Sequence, residues 1–324
     1  MALPRTELPH HDASTQWLLN QPAKLAAERM IRSTRRPAYF DKWDTFTAGV
    51  GEALDTSPDL TPFLGATLGA GMDLLFDRDL SAAGDSPPPE LDLRRLGRSV
   101  ERWVRPERAL DWHAEAKTPA EPRLSQAVAA ALALTTLGGL AGDLDGRWLP
   151  FWQEWVGRTV RAHVSSGGLD GSLRPSKKAH DAETLLPYLE LAAATDMAAL
   201  SIAGLVGYSG RSPELIEPLR EVLPALSGLI RLAADMAFDD TEPVNCAVYL
   251  AAADRGLSLR RARLDLIDSP RRAVQVERRL IDLTRRDLER FLTLVEGRAP
   301  SIVALGRVVE KAVVTEIDVV RAGH

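Results

Sequence analysis

Apolar residues recur at three- and four-residue intervals along nearly the whole chain, and alternating strand-like runs are scarce. That pattern restricts the fold to an assembly of amphipathic helices, each burying one stripe against its neighbours. Proline lacks an amide donor and glycine costs backbone entropy, so their clusters mark the ends of helices. Such breaks fall at Ser57-Pro58, Gly84 to Pro89, Thr118 to Pro122, Ser165 to Pro175, Gly207 to Pro213, Thr241 to Pro243 and Gly297 to Pro300. They divide the chain into about ten to eleven helices. No linker is long enough to argue for two domains, so residues 14–324 are expected to form one all-α domain behind a mobile segment, 1–13. Ser212-Pro213 has the form of an N-cap followed by proline at the first helical position. Pro218 and Pro224 are expected to kink or split the helix that follows.

The remaining properties exclude more than they assign. The net charge of −5 gives no footprint for nucleic acid or an anionic membrane surface. The segment from Ala127 to Ala141 is too short and too rich in Gly and Thr to span a bilayer. The N-terminus lacks the apolar core of a signal peptide. The single cysteine, Cys246, allows no disulfide within one chain and fits a reducing cytoplasm. The Arg-rich stretch from Arg260 to Leu294 intersperses acids among its bases and places Leu280, Leu283 and Leu288 near one face. It reads as a solvated amphipathic helix. No serine elbow, zinc spacing, phosphate loop or dinucleotide fingerprint occurs, and His113, His163 and His180 have no paired ligand spacing.

Two acid clusters carry the chemistry that is legible. In Met72-Asp-Leu-Leu-Phe-Asp-Arg-Asp79, Asp73 and Asp77 stand one helical turn apart, with Asp79 at the helix end. Two carboxylates so placed suit Mg2+, which takes hard oxygen ligands and keeps waters for a substrate's phosphates. On an uninterrupted helix, Ala66, Gly69, Ala70, Asp73 and Asp77 form one stripe, with Leu64, Leu68, Met72 and Leu75 opposite. Periodicity alone favours the plainer arrangement of large residues toward the core and acids toward water. The second cluster, Asp235, Asp239, Asp240 and Glu242, closes a later helix. Asp235, Asp239 and Glu242 share a face opposite Leu226, Leu229, Ile230, Ala233 and Ala237, and Arg231 sits four residues before Asp235 and can pair with it. A solvated face is again the plainer reading, although acids at a helix C-terminus oppose the macrodipole. Trp148, Trp152 and Trp155 at helical spacing are expected in the core.

The order of residues 184–266 resembles the C-terminal half of bacterial class I terpene synthases. It runs from a small-residue helix (Leu185 to Met197) through a Gly-rich break to a helix ending in acids, and then to Val248-Tyr-Leu-Ala-Ala-Ala-Asp. The resemblance implies a single large helical bundle of the isoprenoid-synthase type with a central cavity and an acid cluster on each side of its mouth. It implies Mg2+ held by Asp73, Asp77 and Asp79 on one side and by Asp235, Asp239 and Glu242 on the other, with Asp73 and Asp77 essential to catalysis. The substrate would be an isoprenoid small molecule, ionised to an allylic cation, and a second copy of the chain could form a homodimer. The departures are specific. Ala234 and Phe238 stand where the family's second motif has Asn and Ser. Ala192 and Ala193 stand where its diphosphate-sensing arginines follow the Tyr-Leu pair, here Tyr188-Leu189. The C-terminal Arg-Tyr pair is missing, while the helix break near Thr195-Asp196 can survive as geometry. The expected function is an atypical terpene synthase (terpene cyclase). The alternatives are a catalytically inactive binding or scaffold descendant, a head-to-head prenyl synthase of the squalene/phytoene type, and a metal-independent cyclase that starts from a protonated aspartic acid.

Overall fold

Helices make up every element of the computed structural model, which describes residues 37–56, 67–76, 90–109, 122–143, 145–166, 182–195, 197–209, 211–238 and 245–323. No strand occurs among the described residues, as the periodicity requires. In chain order, α1 is Pro37–Leu54; a π-helical turn, Thr67–Gly71, leads into α2, Met72–Phe76. Then come α3 (Glu90–Trp103), α4 (Pro106–Ala109), α5 (Pro122–Gly142) and α6 (Trp148–Ser166). A 3-10 turn, Ala193–Thr195, separates α7 (Ala182–Ala192) from α8 (Met197–Val206). The remainder is α9 (Ser212–Ala234), α10 (Cys246–Arg255), α11 (Leu259–Ile267), α12 (Pro270–Val295) and α13 (Pro300–Ala322). Segment 1–13 lies outside the described residues. The chain divides into two compact units, one of Met1–Arg161 and Met197–Arg220, the other of Ala162–Asp196 and Glu221–His324.

The first unit is built around close approach of small residues to large rings. Helix α8 is apolar all round and buried along its whole length, as such a helix must be. At Gly207 a Cβ would stand 2.7 Å from the Cα of Gly139 and 2.5 Å from the Trp148 ring, so no larger residue fits there. Trp148 fills that niche and is fully buried, with its Nε1–H donated to the carbonyl of Ala203 at 3.0 Å. Trp152 stacks on it at 6.1 Å between centroids and donates to Thr136 Oγ1 at 3.0 Å. Trp155 is buried as well, so all three tryptophans belong to the core, as their spacing suggested. The start of α6 is fixed by Asp143, whose carboxylate accepts the amides of Trp148 and Leu149 at 3.1 and 3.2 Å.

The turn before the first acid cluster departs from the expected helix. Thr67–Gly71 is π-helical, which widens the turn and shifts the phase between residues 67–71 and 72–76. A stripe drawn on an uninterrupted α-helix therefore loses its register between Gly69 and Asp73, while Ala66 and Asp77 lie outside the described residues. Leu68 and Met72 are fully buried, as expected for the apolar face. Leu68 packs within reach of Gly204 on α8.

In the second unit, α10 is closed at both ends by its own sequence. Asn245 Oδ1 accepts the amide of Val248 at 3.0 Å, and Gly256, at φ 61°, supplies the left-handed residue that ends the helix. Leu280, Leu283 and Leu288 of α12 are buried, while the interleaved charges lie toward solvent, with Arg279 paired to Asp254 at 2.5 Å. The amphipathic reading of this stretch therefore holds. Pro218 and Pro224 do not split α9, which runs unbroken from Ser212 to Ala234. Its buried face of Leu215, Leu219, Val222, Leu223 and Leu226 holds the helix together despite the lost backbone bonds. None of the described helices is long and apolar enough to cross a membrane.

Candidate functional site

The second acid cluster begins where α9 stops. The helix ends at Ala234, and Asp235 directly follows. The residue is buried, at 5% exposure, while Ala237, expected on the apolar face, is exposed. The expectation of a solvated Asp235 is thus corrected: the residue closes the last turn of α9, its amide bonded to the carbonyl of Arg231 at 3.0 Å, with its carboxylate buried.

Two partners compensate the buried carboxylate. Arg231 donates from Nε to Asp235 Oδ2 at 2.9 Å, the pairing that the four-residue spacing allowed. Tyr188 donates its hydroxyl to the same oxygen at 2.5 Å. Arg231 also donates from an Nη to the Tyr188 oxygen at 3.2 Å, which closes a three-membered ring of side chains. Burial, and then the charge of Asp235, push the Tyr188 phenol well above its ordinary 10.0, so it remains the donor. His163 is an electrostatic neighbour of this ring. Burial first, and the Arg231 charge second, push it down from 6.5 to about 3, so its imidazole is neutral at ordinary pH.

Tyr188 projects from α7 one turn before the helix breaks. The break is the 3-10 turn Ala193–Thr195, in which Thr195 donates its hydroxyl to the carbonyl of Ala192 at 2.6 Å. That interruption stands at the position expected near Thr195-Asp196. Ala192 is buried and Ala193 half-buried, so two small side chains occupy the turn after Tyr188. On the far side of Tyr188, the ring of Tyr249 on α10 lies 5.6 Å away, tilted by 37°. The segment after Asp235 is tied down by Glu277 of α12, which accepts the amide of Phe238 at 2.8 Å.

The other acids named from sequence are placed as follows. Asp73 lies in α2, directly after the π-helical turn. Asp77, Asp79, Asp239 and Glu242 lie outside the described residues. Asp73 and Asp235 belong to different units. Among the described residues no group of three or more His, Cys, Asp or Glu side chains converges as metal ligands would. At Asp235 the donor set suits a guanidinium and a phenol on Oδ2, with Arg231 supplying the positive charge, and it does not suit a magnesium ion. Asn245 and Tyr249 fall within the stretch compared with the family, but no sequence motif assigns either a role in the site. One signal was available: the chain has only four tyrosines, and Tyr249 sits four residues after a helix-capping Asn.

No protein-family model matches this sequence, and no curated protein matches it significantly. The crystal structure of geranylgeranyl pyrophosphate synthase from Lactobacillus brevis aligns with 96% of this chain and 99% of its own, at 14% identity and a TM-score of 0.48. At that score and identity the likeness carries no inference about what this chain does.

Proposed function

We propose that this chain is an isoprenoid-synthase-type protein that takes an allylic prenyl diphosphate or a related isoprenoid into an apolar cavity and acts as an atypical terpene synthase. One observation carries the proposal. The helix break at Ala193–Thr195 follows the helix of Tyr188, and Tyr188 is held by Asp235 and Arg231 from the end of the acid-bearing helix. The same three segments appear in the same order in the resemblance to terpene synthases. Departure of diphosphate from an allylic carbon leaves a cation, which the substrate's own double bonds capture when water is excluded. In this reading Asp235 is not a metal ligand; it anchors Arg231 and Tyr188 beside the break. Asp73, Asp77, Asp79, Asp239 and Glu242 remain the proposed magnesium ligands.

A second reading is a binding protein without turnover. Ala192, Ala193, Ala234 and Phe238 in place of the expected polar residues favour it, as does the commitment of Asp235 to Arg231. A product assay separates the two. The protein is incubated with geranyl, farnesyl and geranylgeranyl diphosphates, with magnesium or chelator, and with or without isopentenyl diphosphate. Cyclic or linear hydrocarbons that form without the co-substrate support the cyclase. Longer prenyl diphosphates that form only with it support chain extension or coupling instead. Products that persist with chelator remove the metal from the reaction. Absence of products, with a substrate-dependent rise in melting temperature, leaves the binding protein.

A further inference from the structure

The first turn of α10 holds two buried donors that the fold leaves unused. Asn245 is fully buried, and its Oδ1 is spent on the amide of Val248. Its Nδ2 has no hydrogen-bond partner. Tyr249, also fully buried, has an unpartnered hydroxyl. The two residues are four apart, so they stand on the same side of the helix. Helical side chains lean toward the N-terminus, which directs Tyr249 back toward the Asn245 end. Burying a donor without an acceptor costs free energy, and native proteins retain such groups chiefly where a ligand or water completes them.

The surroundings define the missing acceptor. The N-terminus of a ten-residue helix carries a partial positive charge. The Tyr249 ring lies against Tyr188, whose hydroxyl is held between Asp235 and the Arg231 guanidinium. His163, the neighbouring titratable group, is neutral. Cys246, on the same turn, is buried. We infer that Asn245 and Tyr249 form a binding site for phosphate oxygens at the head of α10, and that they receive the diphosphate end of the isoprenoid. This rests on the prenyl-diphosphate reading above and supplies what the sequence did not, the residues that contact the diphosphate.

Two conservative variants test it. Tyr249→Phe removes only the hydroxyl. Asn245→Asp keeps an oxygen to cap Val248 and removes the donor. Calorimetric titration of the full chain with inorganic pyrophosphate and with farnesyl diphosphate, alongside thermal melting, reads both binding and folding. Tyr249→Phe is expected to melt no lower than wild type without ligand and to bind pyrophosphate about tenfold more weakly. Asn245→Asp is expected to bind at least as weakly as that. A residue that only supports the fold would give the opposite pattern, a lower melting temperature with affinity intact. If wild type binds farnesyl diphosphate and both variants bind it equally well, the site is refuted while the isoprenoid reading stands. If wild type binds neither ligand, both fall together.

Discussion

The two units bury their interiors by different means. In the first, Trp148 and Trp152 are packed against glycines, and each indole N–H has a partner, on Ala203 and Thr136. Close packing and two neutral hydrogen bonds hold that arrangement, and nothing in it changes charge at ordinary pH. In the second, buried Asp235 and Tyr188 meet half-buried Arg231, with half-buried His163 as an electrostatic neighbour, and the Tyr249 ring lies against Tyr188. A core tuned only for stability has little use for such a cluster, since apolar replacement of a buried ion pair is often neutral or stabilising. The first unit also keeps unpartnered buried donors, the indole N–H groups of Trp103 and Trp155, so it is the buried charge of Asp235 that sets the second unit apart.

The largest expected effect lies in the first unit. Trp148→Ala empties the niche between Gly139 and Gly207 and is expected to cost about 4 kcal/mol in urea unfolding. That loss should be the same at pH 5 and pH 8. A cost below about 1 kcal/mol would mean that this core collapses around the gap and is not interlocked as described.

Asp235→Asn should be smaller. It keeps the shape and removes the charge facing Arg231. Arg231 keeps 26% of its side-chain surface in solvent, so water recovers part of the loss, leaving about 2 kcal/mol at pH 7. No change in stability would show that the ring of Tyr188, Asp235 and Arg231 contributes nothing to the second unit.

The smallest effect is a slope. His163 binds its proton at about 3 in the folded protein and near 6.5 when unfolded, so the unfolded chain holds the extra proton between those values. Stability is therefore fully present above about 6.5 and falls as the pH drops toward 3, by up to about 1.4 kcal/mol per pH unit from this residue. His163→Gln should flatten that part of the profile. An unchanged slope between pH 6.5 and 4.5 would remove His163 from the interior of the cluster.

Legibility in the sequence did not follow that division. The all-helical class, the buried tryptophans and the buried leucines of α12 were legible because apolar periodicity reports burial directly. The unbroken α9 was not, since buried contacts along one face outweigh what Pro218 and Pro224 remove. The π-helical turn at Thr67–Gly71 was equally hidden, because a helical wheel assumes a constant rotation per residue. At the candidate site, the spacing of Arg231 and Asp235 revealed their pairing. The burial of Asp235 did not show, because its contact with Tyr188 joins residues 47 positions apart. Tyr188 and Tyr249 are 61 positions apart in sequence, and no local pattern announces that their rings meet.

Phosphorus NMR of farnesyl diphosphate mixed with the wild-type chain tests the functional claim most directly, because it observes the bond that this chemistry must break. Loss of the ester diphosphate signals and growth of free pyrophosphate are expected, slowed in Tyr249→Phe. Ester signals that stay unchanged in position, width and intensity over long incubation, with magnesium present, would contradict that claim.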